Sequence, residues 1–339
     1  MINKLKLLFL LLLIVFAPIS GSAQETKAKM QFSVLDDAGN FFADLKSSDI
    51  QFRQDKNLLP VISLEAKPEI PLELTIMIDA SLSQQRMLPF EQQLAGLLID
   101  DILKPGSDKV AVIKFTGAVS VKQELTVDFG KAKEQINKIE IDAPKGILGT
   151  PRPGKISAND NPQPVILPDP PPLPKSNDPN LIKGATSIWD SIKMVSENFS
   201  KIKNDNGARR VIILISDGVN TFGEGKLKEA IDASLKNQIP VYAFGIGDYY
   251  YSGVNERDLK KLAEQTGGVL VMPKNKLEEA QKQLRKIEPG LRSVYEVTFA
   301  PHAAAGKDVL QETKIKIVNR EFDKRKLQII QPKGFIAAL

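Results

Sequence analysis

Cysteine is absent from all 339 residues, and histidine occurs once, as His302. Without thiols there are no disulfides, thiolate zinc sites, iron–sulfur clusters or thiol nucleophiles. One imidazole cannot build a histidine-rich metal site, and it leaves a serine triad a single candidate base. Charge of one sign is scarce as well, since 46 lysines and arginines face 41 aspartates and glutamates. Lys4 and Lys6 belong to a segment read below as removed, so the mature excess is about three positive charges, too few to argue for nucleic acid. What is present, 42% hydrophobic and 26% charged residues, is the balance of a globular protein with room for one large domain and a smaller one.

Long apolar runs are also lacking after the first segment. Residues 1–23 start with Lys4 and Lys6, run apolar from Leu7 to Ala17, break at Pro18 and end in small residues, with Gly21 and Ala23 preceding Gln24. This is the layout of a cleaved signal peptide, and the run is too short to span a bilayer comfortably. No cysteine follows it to carry a lipid. The expectation is an exported protein, periplasmic or extracellular, with no transmembrane anchor after cleavage.

Between residues 70 and 288 apolar runs alternate with amphipathic segments. Strands are predicted at Leu72–Ile78, Val110–Phe115, Val211–Ile215, Pro240–Ile246 and Val269–Met272, with Val119–Val127 as a reverse-running edge. Helices are predicted at Gln84–Leu103 (Met87, Phe90, Leu94, Leu97 and Leu98 in register), Phe129–Ile139, Ser187–Phe199, Lys226–Lys236, Glu256–Gln265 and Lys276–Ile287. Strands apolar on both faces, alternating with helices, specify an α/β fold: a doubly wound, mostly parallel sheet. The flanks, 24–69 and 289–339, read instead as short strands and turns. Thr313–Ile317 alternates as a half-exposed strand does. Each flank is near the lower limit for an independent core. The expectation is one small β-sandwich-like module made from both, with the α/β domain inserted between them. Residues 144–180 hold 11 of the 22 prolines and read as an extended insert that leads into Gly184–Ala185–Thr186.

Ligands of such sheets bind beyond the carboxyl ends of the strands. There the first run ends in Asp79–Ala80–Ser81–Leu82–Ser83, the run at 211–215 ends in Ser216–Asp217–Gly218, and Thr186 opens a helix. Two carboxylates and three hydroxyls, with no sulfur and no imidazole, suit a hard cation: Mg²⁺ above all, then Mn²⁺ or Ca²⁺. Taken singly each residue has an ordinary role. Ser81 or Ser83 can cap a helix, Thr186 or Ser187 can cap the next with Asp190 completing a box, and Asp217–Gly218 can be a turn. Their order and their shared place at strand ends favour the metal.

Asp79-x-Ser81-x-Ser83, Thr186 and Asp217–Gly218, in the contexts IMIDASLS and LISDGVNT and followed by PVYAFGIG, resemble the metal-ion-dependent adhesion site of von Willebrand factor type A domains. The resemblance covers roughly residues 70–288. The segments VLDDAGNFFADL, YEVTFAP and PKGFIA further resemble a secreted bacterial subgroup known mainly from Acidobacteria. The resemblance implies that Ser81, Ser83 and Thr186 contact the ion directly, that Asp79 and Asp217 do so directly or through water, and that a further position is left to water or to an acidic side chain of a protein partner.

The implied function is therefore a binding module that performs no chemistry on its partner. A structural envelope component with a fold-stabilising metal is the alternative. A Mg²⁺-dependent phosphohydrolase is disfavoured, because the second aspartate that haloacid dehalogenase-like phosphatases need would stand at Ser81. Asp160, Asp169 and Asp178 of the insert are candidates to occupy the ion's open position from within the chain. His302 reads as a turn residue, Trp189 as core, Tyr249–Tyr251 as loop packing near the strand ends, and Lys314, Lys316 and Lys324–Lys326 as solvated.

Overall fold

A computed structural model of the chain describes residues 27–142, 184–204, 206–248, 253–301 and 309–336. The signal segment, the proline-rich insert with its three aspartates, Tyr249–Tyr251 and His302 lie outside the described residues. Among the described residues no helix is long and apolar enough to cross a membrane.

The central sheet has six strands: β5 (Leu72–Asp79), β6 (Lys109–Phe115), β7 (Val119–Thr126), β8 (Arg209–Ser216), β9 (Val241–Gly245) and β10 (Leu270–Val271). Their spatial order is β10-β9-β8-β5-β6-β7. All neighbours run parallel except β7, which returns antiparallel along β6. Every residue of β5 is buried, as a strand covered on both faces requires. On one face pack α1 (Leu88–Ile102), α2 (Phe129–Asn137) and α6 (Leu277–Arg292). On the other pack α3 (Ile188–Phe199), α4 (Leu227–Lys236) and α5 (Glu256–Thr266). The left-handed φ of +86° at Gly267 ends α5.

From β5 the chain steps one way to β6, and from β8 it steps the other way to β9. The strand order therefore reverses between β5 and β8, which are hydrogen-bonded neighbours. That reversal opens a crevice at their carboxyl ends, the place where ligands of open α/β sheets bind.

The flanks form two antiparallel four-stranded sheets around a core of their own. One has the order β13-β1-β11-β4, from Gln328–Ile330, Ala28–Leu35, Val294–Phe299 and Val61–Lys67. The other has the order β14-β12-β2-β3, from Gly334–Ile336, Leu310–Ile317, Ile50–Gln54 and Asn57–Leu59. Each sheet thus combines strands from both ends of the chain. Phe32, Phe52, Tyr295, Phe299 and Phe335 fill the space between them. Along β12, Gln311, Thr313 and Ile315 are buried while Glu312, Lys314 and Lys316 are exposed, the alternation of a strand with one wet face.

Three sequence expectations need correction. The first helix starts at Leu88 rather than Gln84, because Pro89 suits a first turn and residues 82–84 form a separate 3-10 turn. The last helix does not stop at Ile287. It continues through Pro289 to Arg292, across the expected domain boundary at 288. Its end is fixed from outside: Arg209 Nη1 donates to the carbonyls of Gly290 (2.6 Å) and Leu291 (2.8 Å), and Arg292 pairs with Asp108 at 2.7 Å. The Arg209 bonds satisfy carbonyls of the last turn, which have no partner within the helix. The strand expected at Val269–Met272 is only two residues long.

Candidate metal centre

Asp79 closes β5 and Asp217 follows β8, so the reversal point places one carboxylate on each side of the crevice. Asp79 is fully buried and Asp217 is 1% exposed. The Oδ1 of Asp79 accepts the Ser81 N–H (3.0 Å), and its Oδ2 accepts the Ser216 hydroxyl (2.7 Å). Asp217 Oδ1 accepts the Val219 N–H (2.9 Å), and Oδ2 accepts the Ser83 hydroxyl (2.7 Å). Ser83 Oγ in turn lies 3.1 Å from Ser81 Oγ. A continuous chain of side-chain oxygens therefore runs from Asp217 through Ser83 to Ser81, whose own N–H reaches Asp79.

These bonds also decide the ordinary readings. Ser81 opens the 3-10 turn, but its hydroxyl makes no cap bond. Ser83 is spent on Asp217, 134 residues away in sequence. Asp217 does make the expected turn, and Gly218 is required there. Its φ is +76°, and a Cβ would lie 2.6 Å from Leu259 Cγ.

Thr186 is brought to the same place through its backbone. Leu82 N–H donates to the Gly184 carbonyl (3.1 Å), which joins the Asp79–Ser83 loop to the segment entering Thr186. The Thr186 carbonyl accepts from Thr221 and Phe222 N–H groups, and Thr186 N–H donates to the Thr221 hydroxyl at 2.9 Å. Ser187 is the N-cap of α3 by position, yet its side chain makes no cap bond. The first-turn N–H of Ile188 is capped instead by Asn220 Oδ1 at 2.7 Å. Ser187 Oγ donates to Asp190 (3.1 Å), and Asp190 also accepts from Gly225 N–H at 3.2 Å. The loop after β8 therefore carries Asp217 and clamps Thr186. Trp189 lies in the core under α3.

The electrostatics are those of a cavity short of positive charge. Burial first, and then the charge of Asp217, push the Asp79 carboxyl up to about 7, against the pull of the Ser216 and Ser81 bonds. Burial likewise raises Asp217, opposed by Val219 N–H, Ser83 and Gln84. Among the described residues no lysine or arginine pairs with either. The two carboxylates and the Ser81 and Ser83 hydroxyls, joined by their hydrogen bonds, form an all-oxygen donor set of the kind hard divalent cations take. Two acidic groups do not by themselves make a cage: among the described residues no cluster of three histidine, cysteine, aspartate or glutamate side chains is arranged to hold a metal. The hydroxyls are therefore essential to any such site.

Two side chains were not anticipated from the sequence. Ser216 supplies the donor that holds Asp79, and its signal was only its place beside Asp217. Glu91, on α1, is fully buried with both carboxylate oxygens unpartnered.

A search among curated protein sequences gives no match. Among solved structures, the protein BatB from Bacteroides thetaiotaomicron is 22% identical, with 64% of this chain and 97% of that chain covered and a TM-score of 0.43. An aerotolerance-related membrane protein from Bacteroides fragilis, carrying multiple mutations to serine, is 21% identical over 64% and 98%, with a TM-score of 0.44. Proximal thread matrix protein 1 from the mussel byssus, in a form whose own metal-ion-dependent adhesion site is occupied by zinc, is 15% identical over 70% and 48%, with a TM-score of 0.45. Residues 177–286 match the family model for the von Willebrand factor type A domain. That stretch includes Thr186 and Asp217, while Asp79, Ser81 and Ser83 precede it and meet it only in the fold. The part of the chain from residue 177 to residue 286 is thus similar to a von Willebrand factor type A domain.

Proposed function

We propose that this protein is an exported interaction module. A divalent cation, Mg²⁺ or Mn²⁺ first, is held by Asp79, Ser81, Ser83, Thr186 and Asp217 and engages an aspartate or glutamate of a protein partner. The observation that carries this reading is the bond from the half-buried Ser83 Oγ to the buried Asp217 Oδ2 across the reversal point, where among the described residues no lysine or arginine pairs with the carboxylate. Neutral hydroxyls supply little charge of their own, so a bound ion retains affinity for an external carboxylate. No chemical step on the partner is required. The test is titration calorimetry of the mature chain with Mn²⁺ and Mg²⁺, beside Asp217→Ala and Thr186→Ala. Uptake by the parent and its loss in both variants is the expected result; a parent that takes up neither ion ends the reading. Capture of partners from envelope extracts with and without chelator then identifies what the ion binds.

Burial favours a second reading. Asp79, Ser81, Thr186 and Asp217 are all buried, and Ser83 alone of the five is partly exposed. A metal in such a place can serve the fold of an envelope component rather than a partner. Chelation separates the two: a lower melting temperature with partner capture intact assigns the ion a structural role.

A further inference from the structure

The buried face of α1 is formed by Leu88, Glu91, Leu94, Ala95, Leu98, Ile99 and Ile102. Six of these are apolar and belong to the core against β5. The seventh is a glutamate with no exposed surface, and neither of its carboxylate oxygens meets a donor. One buried unpaired polar group is costly, and a buried unpaired carboxylate more so. Core positions of this kind are ordinarily filled by a leucine or methionine. The loop that carries Asp79, Ser81 and Ser83 leads directly into the helix of Glu91. The charges of Asp79 and Asp217 both act on Glu91 and, after burial itself, push its carboxyl well above the usual range.

Gln84 points the same way. It is fully buried, its amide N–H reaches the Ile246 carbonyl at 3.4 Å and helps Asp217, and its Oε1 has no donor. Three buried acceptor oxygens, two from Glu91 and one from Gln84, thus have no donor, Gln84 directly after Ser83 and Glu91 on the buried face of the helix that the same loop enters. Every one is an acceptor, and none is a lone donor. In the metal-free protein the raised Glu91 carboxyl keeps a proton of its own; once a bound cation favours its ionised form, its oxygens and Gln84 Oε1 need donors, and the water shell of the cation supplies them.

We propose that Glu91, together with Gln84, is the inner wall of the metal centre. These two side chains accept hydrogen bonds from the water of a hydrated divalent cation, and the Glu91 carboxylate raises the site's affinity for that cation from behind the five oxygen-bearing residues. This rests on the metal reading above. Glu91 is a positioning residue here, acting through ordered water and through its charge, and the price of burying it falls on the metal-free protein.

The experiment uses the mature full chain, its Glu91→Gln and Glu91→Leu variants, and Mn²⁺ as the probe. Two quantities are read, the melting temperature without metal and the Mn²⁺ dissociation constant. The expected result is opposite signs: both variants melt at or above the parent without metal, and both bind Mn²⁺ 10- to 100-fold more weakly, the usual effect of removing an outer partner of a metal site. A core role alone would not move the dissociation constant. Variants that match the parent's constant within twofold overturn the inference and leave the metal reading standing, whatever their melting temperatures. A parent that takes up no Mn²⁺ overturns both. The leucine variant guards against a glutamine that folds poorly, since it restores the residue type of its neighbours on α1.

Discussion

The two ends of the central sheet treat buried carboxylates in opposite ways. At the amino end, Glu73 on β5 has no exposed surface and is held by Lys109 (3.1 Å) and Arg210 (3.0 Å). Beside it Asp108 is buried and accepts from Arg292 (2.7 Å) and from the N–H groups of Leu72 (3.0 Å) and Lys104 (2.8 Å). At the carboxyl end Asp79, Asp217 and Glu91 are buried just as deeply, but among the described residues Asp79 and Asp217 meet only hydroxyls, backbone N–H groups and the Gln84 amide, and Glu91 meets no donor. Residue type and burial match, so the difference lies in who supplies the counter-charge. At the amino end the chain supplies it, and the result is a clasp between the two halves of the fold. At the carboxyl end, among the described residues, no lysine or arginine supplies it, and the proposed cation would.

The largest effects should come from breaking the satisfied end. Arg292→Ala removes the partner of a buried aspartate and the donor to the Ile102 carbonyl (2.6 Å). Removing one member of a buried pair typically costs about 3–5 kcal/mol. Urea unfolding of the parent and the variant measures it, and a loss below about 1 kcal/mol would mean that the pair contributes no more than a surface one. The same surgery at the other end should have the opposite sign. Asp79→Asn keeps an acceptor for the Ser81 N–H, turns its amide N–H to the Ser216 oxygen, and removes a charge that no lysine or arginine among the described residues neutralises. Metal-free stability at pH 8 should rise by about 1–3 kcal/mol, the scale of one uncompensated buried polar group, while Mn²⁺ uptake is lost.

The ends should also differ in the sign of their pH dependence. Although burial favours the neutral acid, the Arg292 bond and the two N–H groups hold Asp108 below the ordinary aspartate value. Its contribution is present above that value and is lost as the pH falls through the lower, folded one. Asp79 does the reverse. Its folded value of about 7 lies above the ordinary 3.8, so in between the native state binds the extra proton. Metal-free stability should therefore decline as the pH rises from about 4 to about 7, and Glu91 shifts in the same direction. Melting temperatures across that range, for the parent and Asp79→Asn, test it. The variant should show a shallower decline, and an unchanged slope would remove Asp79 as a source.

Much of this contrast was legible in the residues, and what was not has physical reasons. The strands at 72–79 and 209–216 carry the runs Leu74–Ile78 and Val211–Ile215 of β-branched and apolar residues, which a sheet covered on both faces demands. Asp79, Ser81, Ser83 and Asp217 stood out because hydroxyls and carboxylates recur where those strands end. Met87, Phe90, Leu94, Leu97 and Leu98 mark the helix, and Leu94 and Leu98 do lie on its buried face, but a glutamate among them gives no apolar signal. The buried row 88, 91, 95, 98 and 102 contains a glutamate, which an apolar pattern search steps around. The extension of α6 through Pro289 was hidden for a different reason. Arg209 and Asp108, which hold its end, are 81 and 184 residues from their partners. Local rules see the proline and not the clasp.

Asn220 belongs to that last class, and it offers the finest test of how the unsatisfied end is built. Local sequence assigns the cap of α3 to Ser187, yet Asn220 Oδ1 makes the bond to Ile188 from the loop after β8, and its amide donates to the Phe222 carbonyl at 2.9 Å. One side chain thus ties the loop bearing Asp217 to the helix start bearing Thr186. Asn220→Ala should cost about 1 kcal/mol, as the loss of a helix cap does. If Asn220 served the helix alone, the cost would end there. Because it also sets the distance between Thr186 and Asp217, the Mn²⁺ dissociation constant should rise severalfold, whereas a surface cap lost elsewhere, as in Asp128→Ala at the start of α2 (Asp128 Oδ1 to Lys131 N–H, 2.9 Å), should cost similar stability and leave metal uptake unchanged. Equal dissociation constants in the two variants would mean that the clamp on Thr186 is made by the backbone bonds from Thr221 and Phe222 without help from the asparagine.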